Sequence, residues 1–250
     1  MKFGFIGFGN LGRALADGLI MSGSAGTGDF FVCDTSPDAR AAAECEPYNA
    51  FTSEDVNDVL IKSDVIILVV KGYVFKEISK SIDRSNLKGK SVVSFMAGET
   101  FEKICSLIGE VDLVRAMPSL QIAVCDGVIG YTKAPPELAE IFSKLGFAFE
   151  TEPENIEKVM AFASCGLGFA AYLADAFAAA GEAMGFPFET AAHISALSFK
   201  HACDRGDFRG TVKAVATPGG ATEQGVIHMD NCNVRDIVAQ AVRKAYERMT

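Results

Sequence analysis

The sequence predicts an α/β protein: a doubly wound parallel sheet in the first half, then an all-helical domain. Three observations carry this expectation. Strand and helix signals alternate up to about residue 150. Val65 to Val70 is an unbroken run of six aliphatic residues, as suits a central parallel strand buried on both faces. Beyond residue 150, strand signals fade and long helical stretches take over. We therefore divide the 250-residue chain into residues 1–150 and 151–250.

Lys2 to Ile6 reads as a short apolar strand; a glycine turn follows, and Leu11 to Met21 is helical. Phe30 to Cys33 is a second strand. Ser36-Pro37 opens the next helix, with Ser as N-cap and Pro at the first helical position. Ser91 to Phe95 and Leu113 to Ala116 are further strands, with helices near Phe75 to Ile82 and Thr100 to Ile108. Glu54 and Asp55 read as the acidic first turn of a helix capped by Ser53. The second half reads as helices from Glu154 to Met184, Glu189 to Asp204, Phe208 to Ala214 and Val234 to Met249, punctuated by Pro187 and Pro218-Gly219-Gly220.

A formal net charge of -9 with no strongly basic stretch argues against a nucleic-acid partner. The seven cysteines are odd in number and contain no Cys-x-x-Cys pair, which argues against a disulfide framework or zinc knuckle and for a reducing cytoplasm. No leader pattern precedes the first strand. Val159 to Ala174 is uncharged for 16 residues, short for a bilayer span, and reads as a buried helix; no membrane partner is expected.

Gly7-Phe8-Gly9-Asn10-Leu11-Gly12 is a G-x-G-x-x-G placed between a strand and an apolar helix, the context that gives the motif meaning. Gly7 permits the tight turn, Gly9 lets backbone approach a diphosphate, and Gly12 lets helix and strand pack closely. The helix N-terminus then offers free N–H groups and partial positive charge to the phosphates. This is the fingerprint of a Rossmann domain. Asp34 ends the second strand, 22 positions past Gly12, where an acid accepts hydrogen bonds from adenine-ribose hydroxyls and favours NADH. Thr35 and Ser36 beside it offer hydroxyls and N–H groups to a 2′-phosphate, and Asp34 also suits a cap for the helix at Pro37, so NADPH and NADH both stay open.

Thr217-Pro218-Gly219-Gly220-Ala221-Thr222 lies between two helices. Such a turn is either a plain connector or, with successive N–H groups and a hydroxyl leading into a helix, a carboxylate receptor.

Together these motifs resemble the pyrroline-5-carboxylate reductase family, from end to end. The resemblance runs through Gly4 to Gly12 with Ala14, Val69-Val70-Lys71, Ser94 to Gly98, Arg115-Ala116-Met117-Pro118, and above all Thr217 to Thr222, which is similar to the family's Ser/Thr-Pro-Gly-Gly-x-Thr. The resemblance implies that Gly7, Phe8, Gly9, Asn10, Leu11, Thr35, Val70, Lys71 and Ala97 line the cofactor. It implies that Gly219, Gly220, Ala221 and Thr222 hold the substrate carboxylate, with Met117 also at the substrate and Thr222 near the imine nitrogen. It further implies a helical domain that forms a homodimer or higher homo-oligomer. The chain departs from the family's pattern on the substrate side. Ala163 to Phe169 replaces Ser-Gly-Ser/Gly-Pro-Ala-Tyr, Ser119 stands where Asn follows Met-Pro, Lys71-Gly72 replaces Lys-Pro, and Lys213 stands where an acid is usual.

The expected chemistry is reduction of a small cyclic imino acid. An iminium carbon accepts hydride without a strong catalytic acid, so positioning and exclusion of water dominate. That fits the absence of any Ser/His/Asp constellation. Thr222 is the expected hydrogen-bond donor to the imine, and Lys71, at the carboxyl edge of the sheet, is expected near nicotinamide or substrate, although a solvated strand-end Lys has the same sequence. His193, His201 and His228 match no metal-ligand spacing, and no metal is expected. Phe162, Leu167, Tyr172 and Phe177 read as core or dimer packing. Three other readings stay open: a reductase of a different cyclic imine, a dinucleotide-binding regulatory or assembly protein with little turnover, and a 3-hydroxy acid dehydrogenase. Against the last, no helix-borne lysine stands in the position such an enzyme needs, only Lys158 at an early helical turn.

Overall fold

The computed structural model describes residues 1–248. The first elements alternate: β1 (Phe3–Ile6), α1 (Asn10–Met21), β2 (Phe30–Cys33), α2 (Pro37–Glu44), β3 (Phe51–Ser53), α3 (Val56–Lys62), β4 (Val65–Leu68), α4 (Gly72–Ile78) and β5 (Ser91–Ser94). Next come α5 (Phe101–Ile108), β6 (Asp112–Pro118), β7 (Gly127–Tyr131), α6 (Pro136–Lys144) and β8 (Gly146–Glu150). The rest is helical: α7 (Ile156–Val159), α8 (Gly166–Ala183), α9 (Phe188–Arg205), α10 (Phe208–Val215), α11 (Ala221–Asn231) and α12 (Val234–Glu247). The predicted end of the last helix, Met249, lies outside the described residues.

Eight strands form one sheet in the order β3-β2-β1-β4-β5-β6-β7-β8. The pairs from β3 through β6 are parallel; β7 runs antiparallel to β6, and β8 parallel to β7. The first six strands therefore have the doubly wound order, with the chain reversing its direction of travel between β1 and β4; a crevice opens there at the carboxyl ends of the strands. Strand periodicity sorts the side chains. Phe3 and Phe5 of β1, with Val65 and Ile67 of β4, enter one core with Leu15, Leu19 and Phe30. Ile6, Ile66 and Leu68 enter the other, with Leu60, Phe75 and Ile104. This is why the aliphatic run has no polar alternation: both faces are covered.

The structure corrects several sequence expectations. β4 ends at Leu68, and Val69 to Lys71 lead directly into α4. Strands β3, β7 and β8 were not expected. Glycines erased the signal in the last two, and packing demands those glycines. A Cβ on Gly127 would lie 2.6 Å from the Ile122 nitrogen, and Gly146, at φ +141°, has no room beside the Gly127 carbonyl. The cap of α3 is Asp55, which accepts from the Asn57 N–H at 2.9 Å; Ser53 instead accepts from the Asp55 N–H and donates to Asp58. The helix expected from Glu154 to Met184 is broken. A single turn of 3-10 helix at Pro153–Asn155 precedes α7, and Met160–Ser164 forms a π-turn before α8 starts.

The described residues divide into two compact units, Met1–Ser164 with residues 246–248, and Cys165–Ala245. Within the first, Arg115 of β6 is 2% exposed and pairs with Glu157 of α7 at 2.6 Å, while the same nitrogen donates to the Met96 carbonyl at 3.3 Å. Within the second, α8 and α9 pack closely because Gly181 carries no Cβ to strike Ala191, and Ser195 donates to the Ala174 carbonyl at 2.6 Å. That unit buries little else. Leu167, Tyr172, Phe177, Met184, Phe208 and Ile237 are all exposed. The stretch Pro153–Ala183 is long and apolar enough to cross a bilayer, but it is not the buried helix expected, since only 11% of its most apolar window is buried in the single chain. Helices that expose this much apolar surface need a covering partner.

Candidate functional site

The loop between β1 and α1 is built from within. Phe8 turns its ring into the core, edge-on to Phe5 at 5.7 Å and to Tyr48 at 5.3 Å, so only its backbone faces outward. The Gly7 N–H donates to the Cys33 carbonyl at 2.8 Å, tying the loop to the end of β2. Gly7 sits at φ +97°, and a Cβ there would lie 2.7 Å from Val70 Cγ1. Gly12 is tight for a different reason: its Cβ would come within 3.0 Å of the Gly7 carbonyl oxygen. Gly9 differs from both. It has an ordinary φ of -75°, and a Cβ would meet nothing within 4 Å. No side chain caps α1. Its first-turn N–H groups thus face open space over a residue without a side chain, and a diphosphate fits there.

Asp34 is half-buried and held from two sides. Its Oδ2 accepts from the Phe8 N–H and its Oδ1 from the Ser36 N–H, both at 2.8 Å. The cap of α2 is Ser36, whose hydroxyl accepts from the Ala39 N–H. A cleft of about 580 Å³ opens beside Asp34, its walls including Thr35, Asn57, Val70, Val74 and Ile78. Apolar walls with an acid at the mouth suit an adenosine. Lys71 occupies the N-cap position of α4 without a side-chain cap bond, its side chain exposed, and Ala97 is exposed just past β5. The structure thus brings Gly7 to Leu11, Asp34, Thr35, Val70, Lys71 and Ala97 to the carboxyl edge of one sheet. Met117 is buried beside Ile156 and Val159. Ser119 accepts from the Val128 N–H at 3.0 Å and so holds β7.

Sequence reasoning missed Asn57 of α3 and Val74 and Ile78 of α4, which reach the cleft from two helices; no local pattern marks them. It also missed the pair formed by Arg40 and Glu54, which are 14 positions apart and meet only because α2 and α3 flank β2 and β3.

Cys33 lies at the floor of this cleft. Burial, and after it the negative charges of Asp34 and Asp55, push its thiol up to about 11. At pH 8 only about one molecule in a thousand then carries the reactive thiolate. Timed alkylation with mass mapping should show Cys33 modified far more slowly than exposed Cys45; equal rates would contradict this burial.

In the second unit, Pro218-Gly219-Gly220 forms the expected turn. Gly219 is at φ +75°, and the Gly220 N–H donates to the Thr217 carbonyl at 2.8 Å. Gly220 caps α11 without a side-chain acceptor, and Ala221 and Thr222 open that helix, exposed. The Gly219 N–H already donates to a carboxylate, that of Glu223, at 2.7 Å.

Known proteins share both units. Residues 2–98 match the family described as NADP oxidoreductase coenzyme F420-dependent, and residues 153–250 match pyrroline-5-carboxylate reductase dimerisation. The fold and its glycine cradle are thus those of a nicotinamide-dependent oxidoreductase with a helical dimerisation domain. Pyrroline-5-carboxylate reductase of Escherichia coli (strain K12) is 29% identical over 260 residues, 99% of this chain and 96% of that protein. The enzyme of Aquifex aeolicus (strain VF5) is 27% identical over 261 residues, again 99% and 96%. The solved pyrroline-5-carboxylate reductase of Coxiella burnetii superposes with a TM-score of 0.87 at 24% identity, covering 99% of this chain and 97% of that one. That of Plasmodium falciparum, solved with NADP bound, gives 0.86 at 19%, covering 100% and 97%. Along nearly its whole length the chain is thus similar to pyrroline-5-carboxylate reductases.

Proposed function

We propose that this protein reduces pyrroline-5-carboxylate to proline with NADPH or NADH. The observation that carries the reading is the open glycine cradle at the start of α1, in a chain similar over 99% of its length to enzymes named for this reaction. Residues 1–150 are the dinucleotide-binding domain and residues 151–250 the dimerisation and substrate domain. The N–H groups of Gly9, Asn10 and Leu11 hold the diphosphate, while Gly7 and Phe8, whose own N–H groups donate to Cys33 and Asp34, shape the loop beneath it. Asp34 and Thr35 hold the adenosine side, and Val70, Lys71 and Ala97 flank the path toward nicotinamide. The bound nicotinamide supplies the hydride that reduces the C=N bond. Gly219, Gly220, Ala221 and Thr222 bind and orient the substrate carboxylate, with Thr222 donating toward the imine nitrogen and Met117 contributing to the pocket. A threonine hydroxyl titrates far above neutrality, so the proton that completes the amine comes from solvent. The exposed apolar helices are covered in a homodimer, and seven free cysteines suit the cytoplasm.

Mixing the protein with pyrroline-5-carboxylate and each reduced nucleotide should give loss of nicotinamide absorbance. Thr222→Ala should lower kcat by roughly tenfold to a hundredfold without changing nucleotide affinity. Unchanged kinetics would remove Thr222 from its role. A second reading, reduction of a different cyclic imine, draws on two observations: the π-turn Met160–Ser164 runs into the altered segment 163–169, and Glu223 occupies one N–H of the carboxylate turn. Turnover on a larger imine but not on pyrroline-5-carboxylate would favour it.

A further inference from the structure

The rim of the adenosine cleft discriminates by charge. Both Asp34 oxygens are fixed by backbone N–H groups, so the carboxylate cannot swing away from an incoming group. The Ser36 N–H, one of the donors a 2′-phosphate would need, is consumed by Asp34 itself. Arg40 is the one cation that α2 brings to this rim, and it is doubly committed. Its Nη1 donates to the Asp34 carbonyl at 2.7 Å, and its Nη2 pairs with Glu54 at 2.6 Å. The Arg40 side chain is 19% exposed and that of Glu54 71% exposed, so the arginine lies under its partner. Glu54 and Asp55 both line the cleft with Asp34. Three carboxylates against one neutralised guanidinium leave the rim negative.

We propose that this chain selects NADH over NADPH, with Asp34 accepting the ribose hydroxyls and Glu54 acting as the specificity residue that withholds Arg40 from a 2′-phosphate. The inference rests on the cofactor reading above and assigns its selectivity. Free ribose hydroxyls find fixed acceptors, whereas a dianionic phosphate meets Asp34 at contact distance and finds its natural arginine occupied.

Calorimetric titration of the full chain with NADH and NADPH, without imine, tests this directly. NADH should bind on the order of 100-fold more tightly. Glu54→Gln keeps the fold, because the side chain is exposed, and releases Arg40 from its carboxylate partner; the ratio of NADPH to NADH affinity should then rise about fivefold. Combining it with Asp34→Ser should bring NADPH level with NADH or ahead of it. Wild-type protein that binds NADPH as tightly as NADH would overturn the selectivity while leaving the reductase reading in place. Binding of neither nucleotide would overturn both. A Glu54→Gln protein whose two affinities do not move would remove Glu54 from its assigned role.

Discussion

Replacing Gly9 by valine is expected to weaken binding of both reduced nucleotides by about 100-fold or more while the protein stays folded. The two halves of that result have separate causes. Gly9 has φ -75°, which any L-residue adopts, and a Cβ would meet no atom within 4 Å. Folding therefore does not need glycine there. A less favourable N-cap costs about 1 kcal/mol, a few degrees in a chain of this size. The ligand is what needs the glycine, because its diphosphate must reach the first-turn N–H groups over that bare backbone. Gly7 is the contrast. At φ +97°, with Val70 Cγ1 2.7 Å from its ideal Cβ, Gly7→Ala should damage the fold itself. Thermal melts beside calorimetry separate the two cases. Wild-type affinity in Gly9→Val would mean that the diphosphate does not lie on this loop.

Glu157→Ala is expected to lower Tm by about 10 °C, the second large effect. Arg115 is 2% exposed and Glu157 12%, and their 2.6 Å contact neutralises a guanidinium inside the first unit. Removing the carboxylate leaves that charge with the Met96 carbonyl alone, and Arg115 Nε already has no hydrogen-bond partner. An uncompensated buried charge costs about 3–5 kcal/mol. The loss falls on α7, four residues long and too short to be helical on its own. Arg115→Met with Glu157→Leu removes both charges and keeps the volume apolar, so it should recover most of the stability. A melting temperature within 2 °C of wild type for the single change, or a double variant no better than the single, would show that the pair is not a structural tie.

Much of the cofactor half was legible because its determinants are local. A strand, three glycines at fixed spacing and an apolar helix occupy residues 2–21, and the acid at Asp34 follows one β-α unit later. Ser36 with Pro37 marked a helix start that the structure keeps, since a cap acts over three residues. Two of the strands that escaped notice, β7 and β8, did so because Gly127, Gly130 and Gly146 answer to neighbours far off in sequence rather than to strand propensity. The π-turn escaped for a related reason. Residues 154–184 read as one apolar helix, and within that turn Ser164 donates across 46 positions to the Pro118 carbonyl at 2.8 Å.

The amino-acid order alone determined the alternation of strand and helix, the place of the glycine loop before α1, and the turn at Pro218-Gly219-Gly220, because each depends on backbone freedom and hydrophobic period over a few neighbouring residues. Only the tertiary structure decided which charges meet. Asp34 with the Phe8 N–H, Arg40 with Glu54, and Arg115 with Glu157 are brought together by the order of strands in the sheet. Electrostatic pairing acts through space, and neither period nor composition records it.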